Sequence, residues 1–317
     1  GLPRTSGKRP AFGSIVSRLA GNDSALPTYV SLNQATTDMF EFEKPFYAGS
    51  HHGPFRPFGE ALDDLKPVSD MNRLEDRKQL LGAFDMLRRD LDRKSAAGID
   101  PFHLQALDII TSAKVRDAFD LSREPERVRA SYGQGKYPHQ TVKDIYYSWE
   151  AKQFLLARRL VEAGVRVVTL SVGSWDHHSG EKSDIFHCLK HLLPCLDRSI
   201  HALVTDLEAR GLGNDVMVVV LGEFGRTPKI SNPGPGREHW ADAGCAIVYG
   251  GGLRMGQVIG ETDSRAERAK SGETTFQNIV ATIYKVLGVD MTVKLPDFNG
   301  RPQHLLDDRE PIRELMA

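Results

Sequence analysis

Residues 165–178 read VRVVTLSVGSWDHH, an apolar, β-branched run that passes through a glycine turn into one carboxylate beside two imidazoles. The run 165–171 has the composition of a buried strand. Asp176, His177 and His178 then fall just past its carboxyl end. That arrangement is either part of a metal site or a polar turn.

Working outward, DIYYSWEAKQFLLARRLVEAGV (144–165) reads as a long helix with a glycine stop. DIFHCLKHLLPCLDRSIHALVTDLEARG (184–211) reads as helical, interrupted at Pro194. DVMVVVLGEFG (215–225) and GCAIVYGGG (244–252) read as two further buried strands, and 273–290 as a closing helix. Strands alternating with helices predict a mostly parallel sheet covered on both faces. Such a sheet gathers ligands beyond the carboxyl ends of its strands. Strands 165–171, 215–221 and 245–249 are therefore expected in one sheet, with the polar loops at a common rim.

Those loops carry Asp176, His177 and His178, then Glu223 and Arg226, then Arg237, Glu238 and His239. Carboxylates with imidazoles suit a divalent ion, and an arginine beside them suits a sulfate or phosphate oxygen pair. A hydrogen-bonded loop cluster is the plain alternative. Trp175 and Trp240 are expected to pack as floor or wall of the cleft.

In the amino-terminal half, 14–21 reads as a short helix ending at Gly21 and 25–32 as a strand. Residues 40–70 form a long Gly-, Pro- and Phe-rich loop containing His51, His52 and Arg56. A loop of this length is expected to approach the cleft, with Arg56 as an anion contact. Residues 71–94 read as an amphipathic helix, about 101–119 as a second helix and 122–133 as a short helical turn, so 71–133 is expected to be a helical insertion or cap within one domain, 1–317.

The 317 residues balance 41 basic against 42 acidic groups, which gives no argument for a nucleic-acid surface; no basic stripe or reading helix is visible. No run of eighteen apolar residues predicts a membrane span. Cys188, Cys195 and Cys245 do not make a disulfide framework and read as buried thiols. The first twenty residues lack a signal-peptide core, and the chain begins without methionine, so it reads as processed or as an incomplete fragment. Oligomeric state is not legible.

The ordered set ARRLVEAGVRVVTLSVGSWDHH, LGEFGRTPKI, GREHW and GGGLRMGQVIGETD closely resembles the domain of unknown function 1501 family, and the likeness extends over nearly the whole chain. That family looks like a sulfatase-like branch of the alkaline phosphatase superfamily. The resemblance implies an alkaline-phosphatase-like α/β three-layer sandwich with a mostly parallel central sheet. It implies metal ligands at Asp176, His178, Glu223 and His239, with His178 and Arg226 in catalytic roles. Phe224 stands where relatives in the superfamily often carry a histidine, and Glu238 where the family usually carries an aspartate.

The implied cofactor is a divalent metal (Zn, Mn, Mg or Ca). The implied activity is hydrolysis of phosphate or sulfate esters, or alternatively non-catalytic binding on a degenerate scaffold of that kind. The resemblance also implies an exported, periplasmic or secreted protein. Family members usually begin with an export signal and a GGPSH-like strand. The lack of both predicts an N-terminally incomplete chain and, with it, a poor hydrolase.

Overall fold

The computed structural model describes residues 9–20, 26–33, 43–57, 113–139, 145–178 and 184–316. The helix read at 71–94 and the first part of the helix read at 101–119 lie outside them.

A short parallel strand pair, Tyr29–Ser31 beside Val167–Thr169, organises the core. Successive side chains of a strand point to opposite faces. Tyr29 and Val167 face a cluster with Ile15 and Val16 of the helix Phe12–Ala20 and Ala281 and Tyr284 of the helix Phe276–Val286. Val30 faces the other way, among Leu26, Leu32, Val115, Ala118 and Leu160. The helix Ala151–Ala163 lies between that layer and a third cluster, where Phe154 and Leu155 meet Cys188, Leu192, Leu203 and Leu207 of the helix Ile185–Ala209. Gly164 ends the former helix at φ 110°, a left-handed conformation that turns the chain into the strand bearing Val167.

Three local readings change. Residues 146–148 form a strand paired with Lys136–Pro138, so the helix read from 144 starts at Ala151. Pro194 lies inside a continuous helix, where it removes one backbone hydrogen bond without ending the element. Cys245 is exposed rather than buried.

The expected sandwich built on one mostly parallel sheet is corrected. Among the described residues there are six two-stranded sheets, and only the Tyr29–Ser31/Val167–Thr169 pair is parallel. Met217–Leu221 pairs antiparallel with Ala246–Gly250, in the register Val219 opposite Val248, and forms its own sheet. The reason lies in the connection. Parallel strands need a crossover, usually helical. Residues 222–245 contain no helix, and the chain goes out and back through a two-residue ladder, Gly225–Arg226 against His239–Trp240.

The loop 43–57 closes the ends of the parallel pair. Phe55 exchanges backbone hydrogen bonds with Tyr29 and Ser31 at 2.9 Å each. Glu43 is the hub: it accepts from Tyr29 at 3.0 Å, Ser31 at 2.7 Å, Asn33 at 2.9 Å and Arg56 at 2.8 Å, and from the Thr169 hydroxyl. Arg56 is thus committed to an internal carboxylate instead of standing ready for a ligand. His52 packs on the first helix, its Nδ1 3.1 Å from the Ser17 hydroxyl. Among the described residues no helix is long and apolar enough to cross a membrane.

Burial, reinforced by His51 and Arg18, pushes the His52 imidazole down to about 4. In the unfolded chain it titrates near its ordinary value of about 6.5. Between those values the unfolded state binds the extra proton, so this contribution to stability is present above pH ~6.5 and is lost as pH falls toward about 4. Urea midpoints should therefore decline from pH 7 to pH 5 more steeply in the wild-type protein than in His52→Gln. Parallel declines would refute the assignment.

Candidate metal centre

The ladder Gly225–Arg226/His239–Trp240 places Arg226 directly opposite His239. Gly225 is required there, because a Cβ would stand 1.5 Å from the Ala243 carbonyl oxygen. Thr227 extends the pairing by donating its N–H to the Glu238 carbonyl at 2.9 Å. The segment carrying Asp176 is tied to the same ladder, since the Arg237 N–H donates to the His177 carbonyl at 2.9 Å. His177 is buried and turns inward, whereas Asp176 and His178 reach the surface. Burial and then the Arg226 charge hold the His177 imidazole below its ordinary pKa, against the pull of Asp176.

Three groups converge on one oxygen, Asp176 Oδ1. His178 Nε2 lies 2.8 Å from it, His239 Nε2 3.1 Å and Arg226 NH1 2.6 Å. Burial opposes ionisation of this carboxyl, but the bonds from Arg226 and His239 outweigh it, and the pKa falls below the usual range. Ligand atoms of Asp176, His178 and His239 all lie within 4.8 Å of one another and can hold a metal ion.

Ring geometry supports that reading. A metal sits about 2.0–2.1 Å from an imidazole nitrogen, hence about 3.2 Å from the ring centre. Ligand angles of about 90–109° then place two ring centres about 4.5–5.2 Å apart. The His178 and His239 centres are 4.8 Å apart. The Phe224 ring lies 4.3 Å from that of His239, and Arg226 lies over it at 5.5 Å.

Glu238, one of the carboxylates expected at the rim, has a definite place: its Oε2 lies 2.5 Å from His178 Nδ1. A carboxylate on the far nitrogen of a metal-binding histidine fixes the tautomer that offers the other nitrogen. Its position beside His239 in GREHW was the available signal. Glu223, read as a ligand, lies outside the triad and touches the site through Arg226 NH2 at 3.5 Å. Both tryptophan N–H groups are bonded internally: Trp175 donates to the Val172 carbonyl at 2.8 Å and Trp240 to that of Glu267 at 2.7 Å.

Residues 2–316 match the model of one family, described as a protein of unknown function (DUF1501), and the chain belongs to that family. The match spans nearly the whole chain, from residue 2 to residue 316, and so gives no support to the expected truncation or to the poor activity inferred from it. No curated protein and no solved structure matches the chain. The onward link to alkaline phosphatases and sulfatases is likewise corrected: the family match does not carry it, and the small, mostly antiparallel sheets differ from that architecture.

Proposed function

We propose that this rim is a divalent-metal centre that hydrolyses phosphate or sulfate esters. The observation that carries the reading is the meeting of Asp176, His178 and His239 ligand atoms within 4.8 Å, with the Arg226 guanidinium on the same carboxylate. A mixed oxygen and nitrogen set favours Zn²⁺ or Mn²⁺ over Mg²⁺ and Ca²⁺, which prefer all-oxygen shells. A bound divalent ion supplies Lewis-acid polarisation of an ester oxygen and a more acidic water.

The chain's own groups do the rest. Arg226 is held between Asp176 and Glu223 and presents a fixed positive charge at the rim, where a tetrahedral oxyanion gains charge-assisted hydrogen bonds. His178 contacts Asp176 through Nε2 and Glu238 through Nδ1, so the Glu238 carboxylate orients the ring with Nε2 toward the shared Asp176 oxygen.

Calorimetry with Zn²⁺ and Mn²⁺ should show binding at the rim that is lost in Asp176→Ala. Aryl phosphates or aryl sulfates should turn over with metal present and stop on chelation. Metal binding without turnover of either ester would overturn the hydrolase reading in favour of a binding module. Absence of binding at the rim would overturn both.

A further inference from the structure

The long helix Ile185–Ala209 carries a second pair of histidines one turn apart, His187 and His191, neither of them a member of the triad at the rim. Residues i and i+4 stack on one helical face. Here the two ring centres are 4.8 Å apart and tilted by 56°. That separation equals the one between His178 and His239, and lies inside the range for two imidazoles on one metal. His187 is exposed and His191 half-buried, so the face is open to solvent.

The pair is also oriented. His191 Nδ1 lies 3.0 Å from the His187 carbonyl oxygen. A carbonyl only accepts, so Nδ1 carries the hydrogen and the Nε2 lone pair points outward. Tyr146 walls one side, with its ring centre 5.8 Å from that of His191 and its hydroxyl 3.5 Å from His187 Nε2. One opposing factor is the first turn of the helix, whose positive dipole end disfavours a cation. It is offset by the Asp184 carboxylate, which caps that turn by accepting from the Phe186 and His187 N–H groups.

We propose that His187 and His191 form a second metal site, one that takes borderline-soft divalent transition ions, Cu²⁺ ahead of Ni²⁺ and Zn²⁺. Two neutral nitrogens without an anionic oxygen exclude Mg²⁺ and Ca²⁺ and leave preference to the ordinary affinity series. The proposal is independent of the rim reading.

Copper(II) titration of the full chain, followed by calorimetry and by nitrogen splitting in the electron paramagnetic spectrum, tests it. A doubly substituted rim, Asp176→Ala with His239→Ala, should keep a two-nitrogen copper site. Adding His187→Ala or His191→Ala should weaken that site by more than about 10-fold, since even outer partners of a ligand cost that much. His201→Ala, a solitary exposed histidine farther along the same helix, should change nothing. These histidines line the surface, so loss of folding does not confuse the result, and a thermal melt without metal checks it. Copper binding that is unchanged by His187→Ala and His191→Ala would overturn the proposal. So would loss of all copper binding on removal of the rim ligands.

Discussion

Asp176→Ala should abolish rim metal binding, with an affinity loss above about 100-fold, and eliminate any metal-dependent ester turnover. The argument is electrostatic as well as geometric. Asp176 Oδ1 is the one point reached by His178, His239 and Arg226. Removing it deletes the anionic ligand and also frees the Arg226 charge beside the position of the cation. A partner one shell out, by contrast, costs about 10–100-fold. Glu238→Gln should therefore fall between wild type and Asp176→Ala, because it leaves all three ligands but loosens His178. Glu223→Ala should have the smallest effect, since its carboxylate meets the site through Arg226, at 3.5 Å, and not through the triad. The exposed position of Asp176 makes a folding defect easy to separate by thermal melting. Metal affinity retained by a folded Asp176→Ala protein would sink the assignment of the centre.

The convergence of WDHH, GEFGR and GREHW was legible because WDHH and GEFGR each follow an apolar run and GREHW leads into a third, and polar groups at strand ends tend to meet. The sheet that was expected to bring them together was not the one that does so. Apolar periodicity identifies a buried strand but not its direction. The direction of Met217–Leu221 relative to Ala246–Gly250 is set by residues 222–245. Their Asn-Pro-Gly-Pro-Gly run at 232–236 gives a turn, not a crossover helix. Read for that, the segment predicts an antiparallel return. Glu43 was illegible for a different reason. It is one of several acidic residues in the loop 40–70, and its five donors come from positions up to 126 residues away.

Arg158→Ala should be the most destabilising single change in the described core, by about 3–5 kcal/mol, the range for breaking a buried ion pair from one side. The side chain is fully buried. Its Nε donates to Asp206 at 2.8 Å and its NH1 to Glu162 at 2.6 Å, while NH2 stands 2.9 Å from Glu124 in a charge contact off the hydrogen-bonding angle. Arg159 also binds Glu124, and Arg210 reaches all three acids. Three arginines thus balance three carboxylates, and deletion of Arg158 leaves Glu124 and Asp206 under-compensated in a buried setting. Burial opposes ionisation of both acids, yet their arginine partners hold both below the usual carboxylate range. Their contribution is present above about pH 4 and is lost as pH falls through the depressed values.

Arg158→Met separates the causes: it restores most of the apolar stem but not the charge, so a large residual loss measures electrostatics and a small one measures packing. Glu162→Ala should cost less than about 1 kcal/mol, because that carboxylate is 39% exposed and solvent screens it. Urea unfolding at pH 7 decides the matter, and a loss below about 1 kcal/mol for Arg158→Ala would mean the buried network is held by packing alone. The network also bears on the rim, since Arg158 lies on the helix that Gly164 joins to the strand Val167–Thr169, and that strand leads to Asp176. Arg158→Ala should therefore lower the temperature at which metal binding is lost, while leaving affinity at 25 °C within about 2-fold of wild type, as expected when distant sites act independently in the folded state.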